Sequence, residues 1–578
     1  MAGSKQETEP GSEARTWLYQ DLRLSPIFGV ITTVGPGQTS ELACAAEPGP
    51  CNTRAAVAQA EGGRKRYIVI DEDSGGHKPH RADDLGLGSV VRLVSDAGLG
   101  GVRLYGVTAG LAIGNAVQRA VVNAVGNLPT GVLRDISVEP ISPRKSEFGS
   151  DIELLHSTAG ASLIEASQDA IDELRNEGKV VAEDTPIYPA SARPAAVRRR
   201  GVRTNLLRVT IESETTGNVV AGAQVTAKLV NGDVDSDATN EDGVASIDVT
   251  GSAIKMLWID EAPGHWSWTG PSPEPVSNGV TVRLMPIDAG YVDVLRHHYE
   301  KPSPDAGIGV KVAVIDTGIG PHPDVAVAGG LGYPASPGPG EYTASGSSHG
   351  THVAGIIKSS GAWFGVAPGV SLYSYRVYED LERGSAYALA VAIDEASRLG
   401  CDIINLSIVC LPNDAVRRYI QYALDRGVII IAAAGNDDRS ALSFPASVDG
   451  VIAVGAVGRR GTFPLRTSSA KAVAAPAGTD PDDFVASFSN RVRSDDFSAP
   501  GVGVISSLTG GGWGVMDGTS MAAPVITGLV SRTLASSQWS SRPRSVQRTR
   551  AILSILRRRA ASLGFPVELQ GKGLVKSP

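Results

Sequence analysis

The chain has 578 residues, too many for one hydrophobic core, and about 150 residues per domain suggests roughly three or four domains. Its net charge of −8, from 53 basic and 61 acidic residues, gives no electrostatic reason to expect nucleic acid as a partner. Its four cysteines make no disulfide framework and no CxxC metal or redox spacing.

Residues 1–64 read as a polar, turn-rich extension, with order expected only near Ile27–Val34. The opening residues are acidic where a secretory signal would be basic and then apolar. The uncharged run Leu24–Ser40 is broken by Pro26, Gly29, Gly35 and Pro36, so no membrane span is expected. Neither an export signal nor an anchor is recognisable, which favours the cytoplasm over secretion. Cys44 and Cys51 enclose a Pro/Gly turn that would permit, without requiring, a bridge.

Residues 65–190 read as an α+β region. Tyr67–Ile70 is a short apolar strand, and Leu163, Ile164, Ile171 and Leu174 predict a helix from Leu163 that ends at Gly178. Lys179–Ala182 follows as a strand. The basic run of residues 191–204 reads as a solvated linker, with cleavage for processing as the alternative.

In residues 205–287 the apolar positions alternate: Val209 and Ile211, then Val225, Ala227 and Leu229, then Ala245, Ile247 and Val249. Short alternating strands between turns predict a small β-sandwich. The turns Ala221–Val225 and Thr239–Gly243 resemble those of carboxypeptidase-regulatory-like and bacterial Ig-like modules. Asp233, Asp235 and Asp237 alternate as in a calcium loop, but Ala238 stands where that loop needs glycine, so a solvated acidic turn is expected.

From residue 288 to 578, apolar strands (311–315, 371–377, 403–407, 428–433 and 451–457) are interleaved with helices near 349–358, 384–399, 412–426 and 520–535. Such runs predict a parallel sheet covered on both faces, with its site at the carboxyl ends of the strands. Cys401 and Cys410 flank one strand, too far apart for a disulfide.

Four motifs in this region carry chemistry. Val312–Gly318 delivers Asp316 at the end of a buried strand, and His349 opens a helix within His349-Gly-Thr-His-Val-Ala-Gly355. Ser520 follows a glycine turn at a helix start, and Asn436 ends the strand Ala432-Ala-Ala-Gly435. A serine hydroxyl needs an adjacent base to become a nucleophile, and a neutral imidazole is suited to that near neutral pH. A carboxylate then fixes the imidazole tautomer, while backbone N–H groups and the Asn436 amide await the developing oxyanion. His322 and His352 are expected to be structural.

The order Asp316, His349, Ser520 and all four motifs resemble the subtilase family of serine proteases. So do Gly365-Val-Ala-Pro368, Phe488-Ser-Asn490 and Ala499-Pro-Gly501. The resemblance implies a subtilisin-like α/β domain and a serine endopeptidase that acts on polypeptides. Its triad would be Asp316, His349 and Ser520, with Asn436 and Ser520 forming the oxyanion hole. Ser407, Ile408, Val409, Ala434 and Gly435 would line the substrate, which adds a strand beside Leu406–Cys410. The family commonly has two glycines where Val409 and Cys410 stand, so small or modest P1 and P4 residues are expected. No cofactor is implied for the chemistry; structural calcium is compatible with the family, with ligands the sequence does not assign. The resemblance extends to residues 65–190 as a propeptide that would inhibit the enzyme until cleaved. The alternative is a catalytically silent fold used for binding.

Overall fold

The computed structural model describes residues 39–43, 65–70, 90–96, 101–107, 138–141, 152–158, 160–192, 205–250, 252–272, 279–333, 342–344, 346–378 and 384–578. Met1–Asp184 belong to one compact unit, and Thr185–Tyr333 with Tyr342–Pro578 form another. The region near Ile27–Val34, the Cys44–Cys51 turn and most of the basic run lie outside the described residues.

In the upstream unit a four-stranded antiparallel sheet runs in the order Ile152–Ser157, Ala161–Ala166, Lys65–Ile70, Val180–Glu183. The helix Gln168–Asn176 completes its core through Ala170, Ile171 and Leu174, packed with Tyr67, Val69 and Ile164. The helix expected from Leu163 therefore starts later. Leu163 and Ile164 are both buried in a strand paired along both edges, and Ser167 caps the helix by accepting from Ala170 N. A short run with both neighbours buried fits either period, and strand pairing decided it. Thr39–Ala43, inside the expected extension, pairs with Val90–Asp96 in a second sheet.

The downstream unit begins with a two-sheet module. Val244–Asp248, Leu206–Ser213 and Gly279–Leu284 form one sheet; Val234–Ala238, Gln224–Leu229, Ile254–Asp260 and Trp268–Gly270 form the other. Their alternating apolar residues, among them Val209, Ile211, Val225, Ala227, Ala245, Ile247, Leu257 and Ile259, share one buried cluster. The expected solvated acidic turn is instead the strand Val234–Ala238. Its carboxylates serve the adjacent sheet: Asp235 accepts from Asp248 N and Asp237 from Ser246 N, each at 2.8 Å.

The rest of the unit is an α/β layer around a ten-stranded, mainly parallel sheet. Its parallel strands run in the order Gly329–Gly332, Ser371–Arg376, Lys311–Asp316, Ile403–Leu406, Ile429–Ala433, Ile452–Arg459, Phe497–Pro500. Ile403–Leu406 and Ile429–Ala433 are buried at every residue, as a strand covered on both faces requires. The principal helices are His349–Lys358, Ala386–Arg398, Asp414–Asp425, Thr519–Ala535 and Val546–Arg559. Asn413 starts the third by accepting from Ala415 N and Val416 N. Among the described residues no helix is long and apolar enough to cross a membrane. Cys401 and Cys410 are free thiols.

Candidate active site

Asp316 ends a central strand and is buried at 1% exposure. Its Oδ1 accepts from Thr317 N and from His349 Nδ1–H, both at 2.7 Å. That contact fixes the imidazole with Nε2 as its acceptor, and Nε2 is buried without a protein hydrogen bond. The two motifs are laced by Gly350 N donating to Thr317 Oγ1 at 2.9 Å and Gly320 N donating to Thr351 Oγ1 at 2.8 Å. Gly350 is required here, because a side chain would strike the carbonyl of Gly318.

His352, one helical turn on, is a packing residue. Its Nε2–H donates to Val504 O at 3.1 Å, and burial holds its pKa down to about 3. His322 donates to Gly512 O at 3.1 Å and accepts from Asp324 N at 3.1 Å, which leaves it no freedom for catalysis.

Ser520 is the second residue of the helix Thr519–Ala535 and is fully buried. Its Oγ donates to Ser407 O at 3.1 Å, while Ser407 Oγ donates to Ser520 O at 2.9 Å. Asn436 is oriented by Thr519, whose N and Oγ1 donate to Asn436 Oδ1 at 2.9 and 3.0 Å. This leaves the Asn436 Nδ2 group facing the start of the Ser520 helix.

That region is filled by the chain itself. Pro186–Pro189 lies as a strand between Gly384–Ser385 and Ile408–Cys410, antiparallel to both. Ile187 stands opposite Gly384 and Cys410, Tyr188 opposite Val409, and Pro189 opposite Ile408. Ala190 N donates to Ser407 O at 3.0 Å. The carbonyl of Ala190 accepts from Asn436 Nδ2 at 2.5 Å and from Ser520 N at 3.2 Å. Ala192 N then donates to Asp517 O at 3.0 Å. Two glycines make room: a Cβ at Gly518 would lie 2.8 Å from Ala190 O, and one at Gly384 would lie 2.5 Å from Ile187 Cγ1.

Of the residues expected at the site, Asp316 and His349 are joined, and Ser520, Asn436, Ser407, Ile408 and Val409 surround the strand. Ala434 and Gly435 serve behind it. Ala434 is fully buried and bonded to Ser443 N, and Gly435 N donates to Thr519 Oγ1 at 3.2 Å. Gly384–Ser385, expected within a helix, is a short strand, with the helix starting at Ala386; sequence reasoning also missed Thr519, whose role is visible only through Asn436. Among the described residues no group of three or more His, Cys, Asp or Glu side chains could hold a metal ion, so no calcium ligands are assigned.

The sequence profile of the subtilase family matches residues 307–561. Subtilisin BL of Lederbergia lenta is 36% identical over 277 residues, which cover 47% of this chain and 90% of that protein. This chain belongs to the subtilase family. An alkaline protease of Shouchella clausii is 36% identical over 277 residues, spanning 47% of this chain and 64% of the relative. Subtilisin E of Bacillus subtilis is 36% identical over 239 residues, spanning 40% and 56%. This subtilase is a serine endopeptidase with a mainly parallel α/β fold, and its substrates are polypeptides. Its chemistry calls for no cofactor. Nothing among these relatives supports a catalytically silent binding fold.

Proposed function

We propose that Ser520, His349 and Asp316 form the catalytic triad, and that the bond between Ala190 and Ser191 is the enzyme's own first substrate. The observation that carries this reading is the carbonyl of Ala190, held at once by Asn436 Nδ2 and Ser520 N. Those are the two donors that an oxyanion would need, already aimed at a peptide carbonyl.

Attack requires Ser520 Oγ to turn from Ser407 O to His349 Nε2 and then to the Ala190 carbonyl carbon. His349 takes the hydroxyl proton as the new C–O bond forms. The negative charge moves onto the Ala190 oxygen, and Asp316 stabilises the imidazolium. His349 returns the proton to the Ser191 nitrogen as the C–N bond breaks. Water activated by the same imidazole then releases Ala190 from Ser520.

In this register Ala190 is P1 and Ile187 is P4. Val409 and Cys410, in place of the family's common glycines, favour P1 and P4 side chains of that size. Until it leaves, the segment from Pro186 to Ala190 blocks the cleft, which makes residues 65–190 an inhibitory propeptide. The two-sheet module between propeptide and protease is a β-sandwich similar to carboxypeptidase-regulatory-like modules.

Intact-mass analysis of the purified chain beside Ser520→Ala tests the reading. The wild type is expected to yield a fragment beginning at Ser191 and to react with a fluorophosphonate probe, and Ser520→Ala to do neither. Identical cleavage in both proteins would refute it.

A further inference from the structure

The helix that His349 opens lacks a cap of its own. Ser348 stands at its N-cap and gives the helix no side-chain hydrogen bond, so the first N–H groups need acceptors from elsewhere. They find one in the two-sheet module. Glu261, directly after the strand Ile254–Asp260, accepts from Ser348 N at 2.6 Å and from Ser347 Oγ at 3.0 Å. Ser347 Oγ in turn accepts from His349 N at 3.2 Å. A carboxylate is thus placed at the positive end of the helix, and its bonds lead in one step to the backbone of His349.

Two features mark this contact as built. Glu261 is buried at 4% exposure, where a carboxylate survives only if its hydrogen bonds are made. Its backbone is left-handed at φ +49°, a conformation that residues with a Cβ disfavour. The adjoining residues also hold the other half of the site. Gly264 N donates to Trp513 O at 2.7 Å, in the hairpin that leads to Ser520, and Ser468 N donates to Ser267 O at 3.1 Å.

We propose that Glu261 is a positioning residue for His349, and that the two-sheet module is thereby a working part of the active site. This rests on the triad assigned above. Glu261 touches no reacting atom; it fixes the start of the helix, and with it the placing of the imidazole between Asp316 and Ser520. An ångström of misplacement costs on the order of 100-fold in rate.

The test is kcat and KM on a peptide substrate, normalised to sites titrated by a fluorophosphonate, so that unfolded molecules do not count. Glu261→Ala is expected to lower kcat per titrated site by about 100-fold and to leave KM within about twofold. Glu261→Asn tolerates the left-handed backbone but falls short of Ser348, and is expected to match alanine. Glu261→Gln keeps the shape and one acceptor, and is expected to recover about tenfold of the alanine loss. Wild-type kcat per titrated site in these variants, or a loss confined to melting temperature, would overturn the proposal. If alanine yields no folded enzyme, glutamine decides by the same criterion, with a fall in kcat of about tenfold expected. Persistence of activity in Ser520→Ala would instead sink the triad assignment, which separates the two failures.

Discussion

The side-chain amide of Asn436 and the carbonyl of Ala190 lie 2.5 Å apart, and Ser520 N reaches the same oxygen from 3.2 Å. A peptide carbonyl so held is in the position where charge accumulates during acyl transfer. Asn436→Ala should therefore slow self-cleavage and peptide hydrolysis by about 10²–10³-fold, the usual cost of one lost oxyanion donor. Melting temperature should also fall, because Thr519 N loses its acceptor. Active-site-titrated kinetics check this, and a loss below tenfold would place the oxyanion elsewhere.

The small side chain of Ala190, 1% exposed, carries a prediction about specificity. Ala190→Phe should slow cleavage after residue 190 at least tenfold, on the order expected for misplacing a reacting carbonyl. In a peptide library the enzyme should prefer small P1 residues. Intact mass over time reads the first outcome, and equal or faster cleavage after aromatic P1 residues would defeat both.

Asp517 gives a pH dependence of stability. Burial raises its carboxyl from 3.8 to about 6, against opposing hydrogen bonds from Gly503 N and Ser469 Oγ. The folded state thus holds this proton more tightly than the unfolded chain. Its contribution is complete below about pH 4 and is lost as pH rises through about 6, a change of roughly 3 kcal/mol. In a Ser520→Ala background, Asp517→Asn should gain stability relative to its parent between pH 4 and pH 7. Parallel denaturation midpoints across that range would contradict the assignment.

The buried pair of Asp293 and Arg296 ties the start of the protease layer to its interior. Arg296 donates to Asp293 Oδ2 and to Ile505 O, both at 2.7 Å, and to Phe364 O at 2.6 Å. Asp293→Ala strands a buried guanidinium and should cost about 3–5 kcal/mol in urea unfolding. Asp293→Asn combined with Arg296→Met should recover much of that loss.

What the sequence disclosed, and what it hid, follows from how local each signal is. The strands ending at Asp316 and Asn436 are apolar runs, and the turns beside Ser520 and His349 are short motifs, so all were readable. The strand around Leu163 was mistaken for a helix because a brief run buried on both faces satisfies either period. Asp233, Asp235 and Asp237 resembled a loop until their partners, Ser246 N and Asp248 N among them, were visible. Gly384 was expected in a helix and Glu261 left no trace, since each acquires its role from residues far away in the chain.

Trp266 carries a practical consequence. It belongs to the two-sheet module by sequence, yet it is 1% exposed within the protease core and packs edge-on against Tyr291 at 4.9 Å. Sequence similarity to the family begins at residue 307, so trimming guided by alignment would cut the chain just before that point. The excised protease would then lack Trp266 together with Val294, Leu295 and Tyr299, all buried members of the protease core cluster. A recombinant enzyme should therefore start no later than residue 205, whatever the homology suggests.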